Sequence, residues 1–274
     1  MKIGKVTAGA LALLGLALLA PGCAGKKKAR LTFAPETSAE TLYAAGMRQL
    51  QRRKLEAAIA TFARIDYAPD QRRELEPLVR LANADATFYK DTDVALIEAR
   101  SLYLDFVTRF SDHPLAPYAQ FQAGMCSAKQ VNHPSKDQSQ TERAIADFRL
   151  VETRYPAAGF ARAARQARTR AESRLAEHEM LVGLFYQKRK QYPAAVERFR
   201  GVLDRYPTYV DRGRAFFQLG KTLWLSNNTT EGRVYLDKYL EDYPDGPYAG
   251  EARKYLASAG NPTEDKVELV RSHP

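Results

Sequence analysis

The 274-residue sequence predicts an all-α protein built from repeated helical pairs. From Ala39 onward the chain is rich in Ala, Leu, Arg, Glu and Gln, and its apolar residues recur at spacings of three and four, as in amphipathic helices. No stretch of the sequence shows the sustained apolar and polar alternation of a half-buried strand. A content of 45 % hydrophobic and 10 % aromatic residues excludes a disordered chain, and two cysteines exclude a disulfide framework.

The N-terminus has the pattern of a secretory leader. Two lysines precede an apolar segment over residues 6–20, which at about 1.5 Å per residue is too short to span a bilayer core of about 30 Å. The sequence APGC that ends at Cys23 resembles a bacterial lipobox, in which cleavage occurs before a lipid-modified cysteine. We therefore expect a signal peptide over residues 1–22, a covalent lipid on Cys23 and a polar tether over residues 23–38. Ordinary secretion with an unmodified cysteine is the alternative.

Small residues, each followed by an aromatic or other large apolar residue, recur along the rest of the chain in an irregular, degenerate array. In the fourth occurrence Gly183 is followed by Ala195 and Phe199, and Pro207 ends the segment. Small residues let two helices approach closely, the aromatic ring fills the space beneath, and the proline stops the second helix. The pattern resembles the tetratricopeptide repeat and predicts a helical-repeat solenoid of about five degenerate repeats plus a C-terminal capping helix. The anchors of the other repeats are, in order, Gly46, Ala58 and Phe62; Ala99 and Tyr103; Gly124, Ala144 and Phe148; Gly220, Gly232 and Leu236.

Two departures from a regular array are predicted. The third repeat carries eight additional residues between its helices, around VNHPSKDQSQ, and this polar stretch with a proline predicts an exposed loop. Residues 160–189 contain no helix breaker except Gly183, so a helix of about 28 residues should join the third and fourth repeats. The capping helix is expected over residues 248–259 and a polar tail over residues 260–274.

Patterns that indicate catalysis or metal binding are scarce. The four histidines are scattered, and no pair has the i, i+4 spacing of a helical zinc site. Gly220-Lys221-Thr222 resembles the end of a phosphate-binding loop but lacks the earlier glycine and a preceding strand. Helical-repeat arrays mainly bind partners. We therefore expect no enzymatic activity, no metal and no cofactor apart from the lipid on Cys23.

Positive charge is concentrated in one part of the chain. The whole sequence has 42 Lys and Arg against 32 Asp and Glu, a formal net charge of +10, and residues 160–205 alone hold 11 basic and 5 acidic residues. This concentration indicates docking on an acidic partner, with Arg162 and Arg165 as candidate contacts; a solvated helix face is the alternative. Because the leader directs the chain out of the cytoplasm, nucleic acid is not an expected partner.

The first helix of each repeat is expected to line a groove. In tetratricopeptide arrays the lining positions lie six and three residues before, and one and four residues after, the small anchor. In the first three repeats most of these positions are apolar or aromatic, which suits an extended or helical apolar peptide. Core packing against an adjacent repeat is the alternative for each of them. The predicted groove residues are Tyr43, Met47, Leu50, Leu81, Phe88, Tyr118, Phe121 and Met125.

The order of these features resembles the BamD family, the lipoprotein component of the β-barrel assembly machinery, over residues 38–258. The segments that carry the resemblance are LYAAGMRQLQRRKLEAAIATF, the loop in the third repeat, and RLAEHEMLVGLFYQKRKQYPAAVERFRGVLDRYP. The resemblance implies a scaffold, anchored by lipid in the periplasmic leaflet of the outer membrane, that promotes insertion of outer-membrane proteins. The alternative is a pilotin-like or other repeat lipoprotein that serves secretin or cell-envelope complexes.

The resemblance also implies a division of labour along the chain. Residues 39–158 would hold the C-terminal signals of unfolded outer-membrane proteins, and residues 159–259 would bind the POTRA portion of the barrel-forming BamA protein. Arg198 matches an arginine that the family associates with this contact. Other assembly lipoproteins are possible partners.

Overall fold

Eleven α-helices make up the regular structure of residues 38–66 and 74–258, which are the residues that the computed structural model describes, and no strand occurs among them. The all-α prediction is confirmed. The predicted signal peptide, Cys23, the tether up to residue 37 and the polar tail lie outside the described residues. None of the described helices is long and apolar enough to cross a membrane. The helices are α1 (Ala39–Gln51), α2 (Leu55–Phe62), α3 (Leu75–Phe88), α4 (Asp93–Arg109), α5 (Ala116–Lys129), α6 (Ser139–Arg154), α7 (Phe160–Lys188), α8 (Tyr192–Arg205), α9 (Arg212–Leu225), α10 (Thr229–Asp242) and α11 (Ala249–Ala257).

The helices stack in the order of the chain. Each helix from α1 to α10 packs on the next one along the sequence, and α1 also contacts α3, α5 contacts α7, and α11 contacts both α9 and α10. This is the pattern of a repeat array, in which a helical pair buries its apolar face mainly against its neighbours. The predicted pairs therefore correspond to α1–α2, α3–α4, α5–α6, α7–α8 and α9–α10, with α11 as the cap.

The small and aromatic anchors meet as the spacing predicts. A methyl group placed on Gly183 would lie 2.5 Å from the Phe199 ring, and one on Gly124 would lie 2.6 Å from the Phe148 ring. Gly46 faces Phe62 in the same way. All three rings are buried. These three pairs therefore close because an aromatic ring lies directly on a helix backbone that has no side chain there.

The two predicted departures from regularity are present. The joining helix α7 has 29 residues, and residues 130–138 form a loop between α5 and α6. This loop is largely exposed, but it is held against α7: the Arg174 guanidinium donates a 3.0 Å hydrogen bond to the Asn132 carbonyl, and the His178 ring lies 2.6 Å from the Pro134 carbonyl oxygen. The insertion is therefore tied to the helix that joins the third and fourth repeats.

Candidate functional site

The predicted groove residues divide into a buried set and a half-buried set. Leu50, Leu81 and Phe88 are less than 9 % exposed and belong to the apolar clusters of the first two repeats, where they pack around Phe62 and Tyr103. The other five side chains are half-buried, so they contact the core and still reach the surface: Tyr43, Met47, Tyr118, Phe121 and Met125.

Aromatic rings from two helices come together around this half-buried set. The ring centroid of Phe160, the first residue of α7, lies 5.4 Å from that of Tyr118 and 5.7 Å from that of Phe121. Phe160 remains 36 % exposed. We did not predict it as a groove residue, although its position four residues after Pro156 repeats the spacing of Pro114 and Tyr118.

A carboxylate lies beside these rings. Asp85 on α3 accepts hydrogen bonds at the same oxygen, Oδ1, from the hydroxyls of Tyr103 at 2.6 Å and Tyr118 at 2.8 Å, and Gln122 donates to the Tyr118 oxygen at 2.9 Å. Burial raises the pKa of the Asp85 carboxyl, and the two tyrosine hydrogen bonds offset part of that rise. Burial, and next the charge of Asp85, also raise the pKa of Tyr43 on α1.

This cluster was not predicted from the sequence. The available signal was a single acidic residue in the apolar segment LANADATF, where an aspartate on the buried side of a helix requires hydrogen-bond donors. The donors are 18 and 33 residues away along the chain. No local spacing rule identifies partners at that distance.

The second candidate surface is centred on Arg198. Its guanidinium donates to Glu179 Oε2 at 3.1 Å, and that of Arg205 donates to Glu179 Oε1 at 2.9 Å. Glu179 is buried, whereas the Arg198 and Arg205 side chains are 40 % and 55 % exposed. One carboxylate therefore orients two cationic groups that remain accessible. These two arginines and Arg200 line a cavity of about 440 Å³ along α8.

The other two predicted docking arginines lie elsewhere. Arg165 donates to Glu152 on α6 at 3.2 Å, and Arg168 donates to the same carboxylate at 2.6 Å. Arg162 is exposed and forms no hydrogen bond or ion pair with the part of the chain that the structure describes. Arg162 and Glu179 are on the same helix but 17 residues apart, about 25 Å along its axis. The structure therefore does not bring Arg162 or Arg165 together with Arg198.

Reactive groups are few in the described residues. Cys126 is completely buried, and burial raises the pKa of its thiol to about 12, so it is not a thiolate at neutral pH. Within residues 38–66 and 74–258 no group of three or more His, Cys, Asp or Glu side chains is placed to hold a metal ion. The arrangement is suited to binding through aromatic, cationic and carboxylate groups.

Comparisons with known proteins agree with this architecture. The model of the YfiO family, described as an outer membrane lipoprotein, matches residues 35–222, and a tetratricopeptide repeat model matches residues 214–246. Several relatives carry the name outer membrane protein assembly factor BamD. The protein of Caulobacter vibrioides is 30 % identical over 72 % of this chain and 64 % of its own length, just under two thirds.

Two further relatives have lower sequence identity but match over more of their own length. The BamD of Rickettsia prowazekii is 26 % identical over 95 % of this chain and 100 % of that protein, and that of Haemophilus influenzae is 25 % identical over 72 % and 76 %. A solved structure, the TPR2AB domain of yeast Sti1 in a pHSP90 complex, superposes with a TM-score of 0.40 and 17 % identity over 84 % of this chain and 96 % of that one, a likeness too low to support an argument.

Proposed function

The chain belongs to the YfiO family of outer membrane lipoproteins, and from this membership we propose that it is an assembly factor for outer membrane proteins that acts by binding and not by catalysis. The observation that carries the proposal is the family match over residues 35–222, which covers the first four helical pairs and part of the fifth. The curated relatives are named for the same role. The loop that interrupts the third repeat also favours this function over a uniform repeat adaptor.

In this proposal the chain has three working parts. A lipid on Cys23 anchors the array to the periplasmic leaflet of the outer membrane, because acyl chains contribute about 0.8 kcal/mol for each buried methylene. The half-buried rings of the first three repeats receive the apolar C-terminal signal of an unfolded outer-membrane protein. The Arg198 surface docks on an acidic patch of the POTRA portion of a BamA-like protein, and other assembly lipoproteins can join the complex.

The contact geometry supports the docking step. Arg198 and Arg205 are held by one buried carboxylate, so their guanidinium groups lose little conformational freedom when a partner binds. Each guanidinium also keeps donors that Glu179 does not use, since arginine carries five N–H groups. Arg162 and Arg165 would form a separate contact, on the part of α7 near the third repeat.

The test is co-purification from detergent-solubilised outer membranes, with the partners identified by mass. We expect Arg198→Glu to lower the retained barrel protein by roughly tenfold or more, since removing one member of a charge pair typically costs a few kcal/mol. Arg198→Gln keeps a donor to Glu179 and should give a smaller loss. Arg143→Glu, at an exposed arginine of α6, is the control with the same change of charge.

Two results would contradict parts of the proposal. Full retention of the barrel protein by Arg198→Glu would exclude that docking contact. Absence of any outer-membrane assembly protein from the unmodified chain would exclude the proposed function itself. Circular dichroism melting of each variant distinguishes loss of docking from loss of folding.

A further inference from the structure

Asp85 is a half-buried carboxylate that has no counter-ion within residues 38–66 and 74–258. Among the described residues it forms no ion pair, and both tyrosine hydroxyls donate to Oδ1, which leaves Oδ2 without a hydrogen bond there. Asp147, in contrast, is buried and meets the Arg100 guanidinium through two hydrogen bonds at 2.9 and 3.1 Å. Burying a charge without a counter-ion costs free energy. Because Asp147 is paired and Asp85 is not, Asp85 keeps an acceptor oxygen to which a ligand can bond.

The groups around Asp85 are suited to a cation. The half-buried Tyr118 on α5 donates to the carboxylate, and the ring of Phe160 on α7 lies 5.4 Å from the Tyr118 ring. Aromatic faces attract cations, and an arginine stacks on them while its N–H groups bond to a carboxylate. Burial raises the pKa of the tyrosine hydroxyls that face Asp85, so they remain neutral donors and add no competing charge.

We propose that Asp85, with the ring of Tyr118, forms a subsite for a cationic side chain, Arg or Lys, of a peptide bound in the groove. The inference rests on the proposed function, because it assumes that the half-buried rings of the first three repeats hold a peptide. It adds a selection rule: apolar and aromatic residues fill the groove, and one basic residue at the correct distance pairs with Asp85. A peptide with an acidic residue at that place is rejected.

The test is fluorescence anisotropy on the purified soluble chain with short labelled peptides that alternate apolar and polar residues and end in Phe. One series carries a single Arg moved along the polar positions, and the matched series carries citrulline, a neutral analogue of similar shape, at the same positions. We expect at least one position at which the Arg peptide binds about tenfold more tightly, as for a charge-assisted hydrogen bond in a partly buried site.

Variants then assign the preference to Asp85. Asp85→Asn keeps an oxygen acceptor for the tyrosine hydroxyls and should equalise the two peptides by weakening only the Arg peptide. Tyr118→Phe keeps the carboxylate charge and should retain the preference. Asp112→Asn, at an exposed residue after α4, is the control with the same loss of charge and should behave like the unmodified chain.

The possible outcomes separate the inference from the proposed function. If the unmodified chain binds the Arg and citrulline peptides equally at every position, or if Asp85→Asn retains the preference, the subsite is wrong while the groove stands. If neither series binds, the groove and the subsite are both wrong, although docking through Arg198 is unaffected. Thermal melting of Asp85→Asn alongside Tyr118→Phe shows whether a lost preference reflects a damaged fold.

Discussion

Three glycines set the distance between the helices of their pairs at the residue scale. Gly46, Gly124 and Gly183 each face a buried phenylalanine ring so closely that a methyl group would overlap ring atoms. In the second pair Thr87 takes the equivalent place, sixteen residues before Tyr103, and the ring there is a tyrosine whose hydroxyl reaches Asp85. The pair that lacks this glycine is therefore the pair whose tyrosine contributes to the polar cluster around Asp85.

We predict that Gly183→Ala destabilises the protein. The added carbon would lie 2.5 to 2.9 Å from three atoms of the Phe199 ring, which is fully buried. Overpacking of this kind costs about 1–3 kcal/mol, and the better helix propensity of alanine returns up to about 1 kcal/mol, so a net loss of about 1–2 kcal/mol is expected. Urea denaturation followed by circular dichroism measures it.

The control for this substitution is Gly250→Ala in α11, where an added methyl group has no atom within 4 Å. It should be neutral or slightly stabilising. If the two variants are equally stable, the Phe199 ring can shift at no cost in free energy, and its close approach does not require glycine at position 183.

At the scale of elements, the helical pairs differ in the turn or loop that joins their two helices. In the four uninterrupted pairs the two helices are joined by a short turn with one residue in the left-handed backbone region: Arg53, Asp91, Lys190 and Asn227 have φ between 53° and 70°. The third pair has the nine-residue loop instead. Hydrogen bonds within the loop hold its shape, since the Gln138 amide donates to the carbonyls of His133 at 3.0 Å and Lys136 at 2.9 Å.

The same loop closes one side of a second cavity. This cavity, of about 470 Å³, is bounded by the loop, α7 and the end of α8, and Glu179 and Arg205 contribute to its wall. A change in the conformation of the loop can therefore shift Glu179, the carboxylate that orients Arg198. The loop is an element of the proposed docking region and not only an insertion on the surface.

We predict that Arg174→Ala loosens the loop. The substitution removes the hydrogen bond to the Asn132 carbonyl, and losing about 1 kcal/mol of local stability should raise the rate of tryptic cleavage after Lys136 by about fivefold. Limited proteolysis with mass spectrometry measures the rate. Arg170→Ala is the matched control, because Arg170 is an exposed arginine of the same helix without a hydrogen bond to the described residues. An unchanged rate in Arg174→Ala would mean that the contacts of Gln138 and His178 order the loop without Arg174.

At the scale of the whole molecule, the apolar face at the end of the array must be covered by another element. Each helical pair buries its apolar face on the next, and the last pair has only α11 beyond it in the described part of the chain. Three aromatic contacts join them: the Tyr248 ring stacks on Phe217 with centroids 4.6 Å apart and lies 6.0 Å from Tyr239, and Tyr255 lies 6.1 Å from Trp224. Trp224, the single tryptophan of the sequence, is 4 % exposed and reports directly on this cover.

We predict that a chain ending at residue 246, which lacks α11, shows a red-shifted Trp224 emission and lower thermal stability. The physical reason is that Phe217, Trp224 and Tyr239 would lose the apolar partners that exclude water. A chain ending at Ser258 keeps the cap and is the control. Identical emission spectra for the two truncated chains would show that α11 does not cover the last pair.

The sequence by itself determined the helical class, the five pairs, the 29-residue joining helix and the place of the loop. These features depend on spacings of a few residues within a helix and of sixteen to twenty-four residues within a pair, as between Gly183 and Phe199 or Gly124 and Phe148. Backbone hydrogen bonding and close packing within a pair act over that distance along the chain. The groove residues were predicted from the same helix period, and their role in binding a peptide stays a prediction.

Only the tertiary structure decided which side chains are available and which partners they have. It buried Leu50, Leu81 and Phe88, paired Arg165 with Glu152, and brought Tyr103 and Tyr118 to Asp85 across three helices. Apart from the Tyr103 contact, which lies within the second pair, these outcomes depend on how one pair lies on the next, through contacts between residues 13 and 33 positions apart. A half-buried carboxylate or an oriented arginine exists only once that stacking has formed.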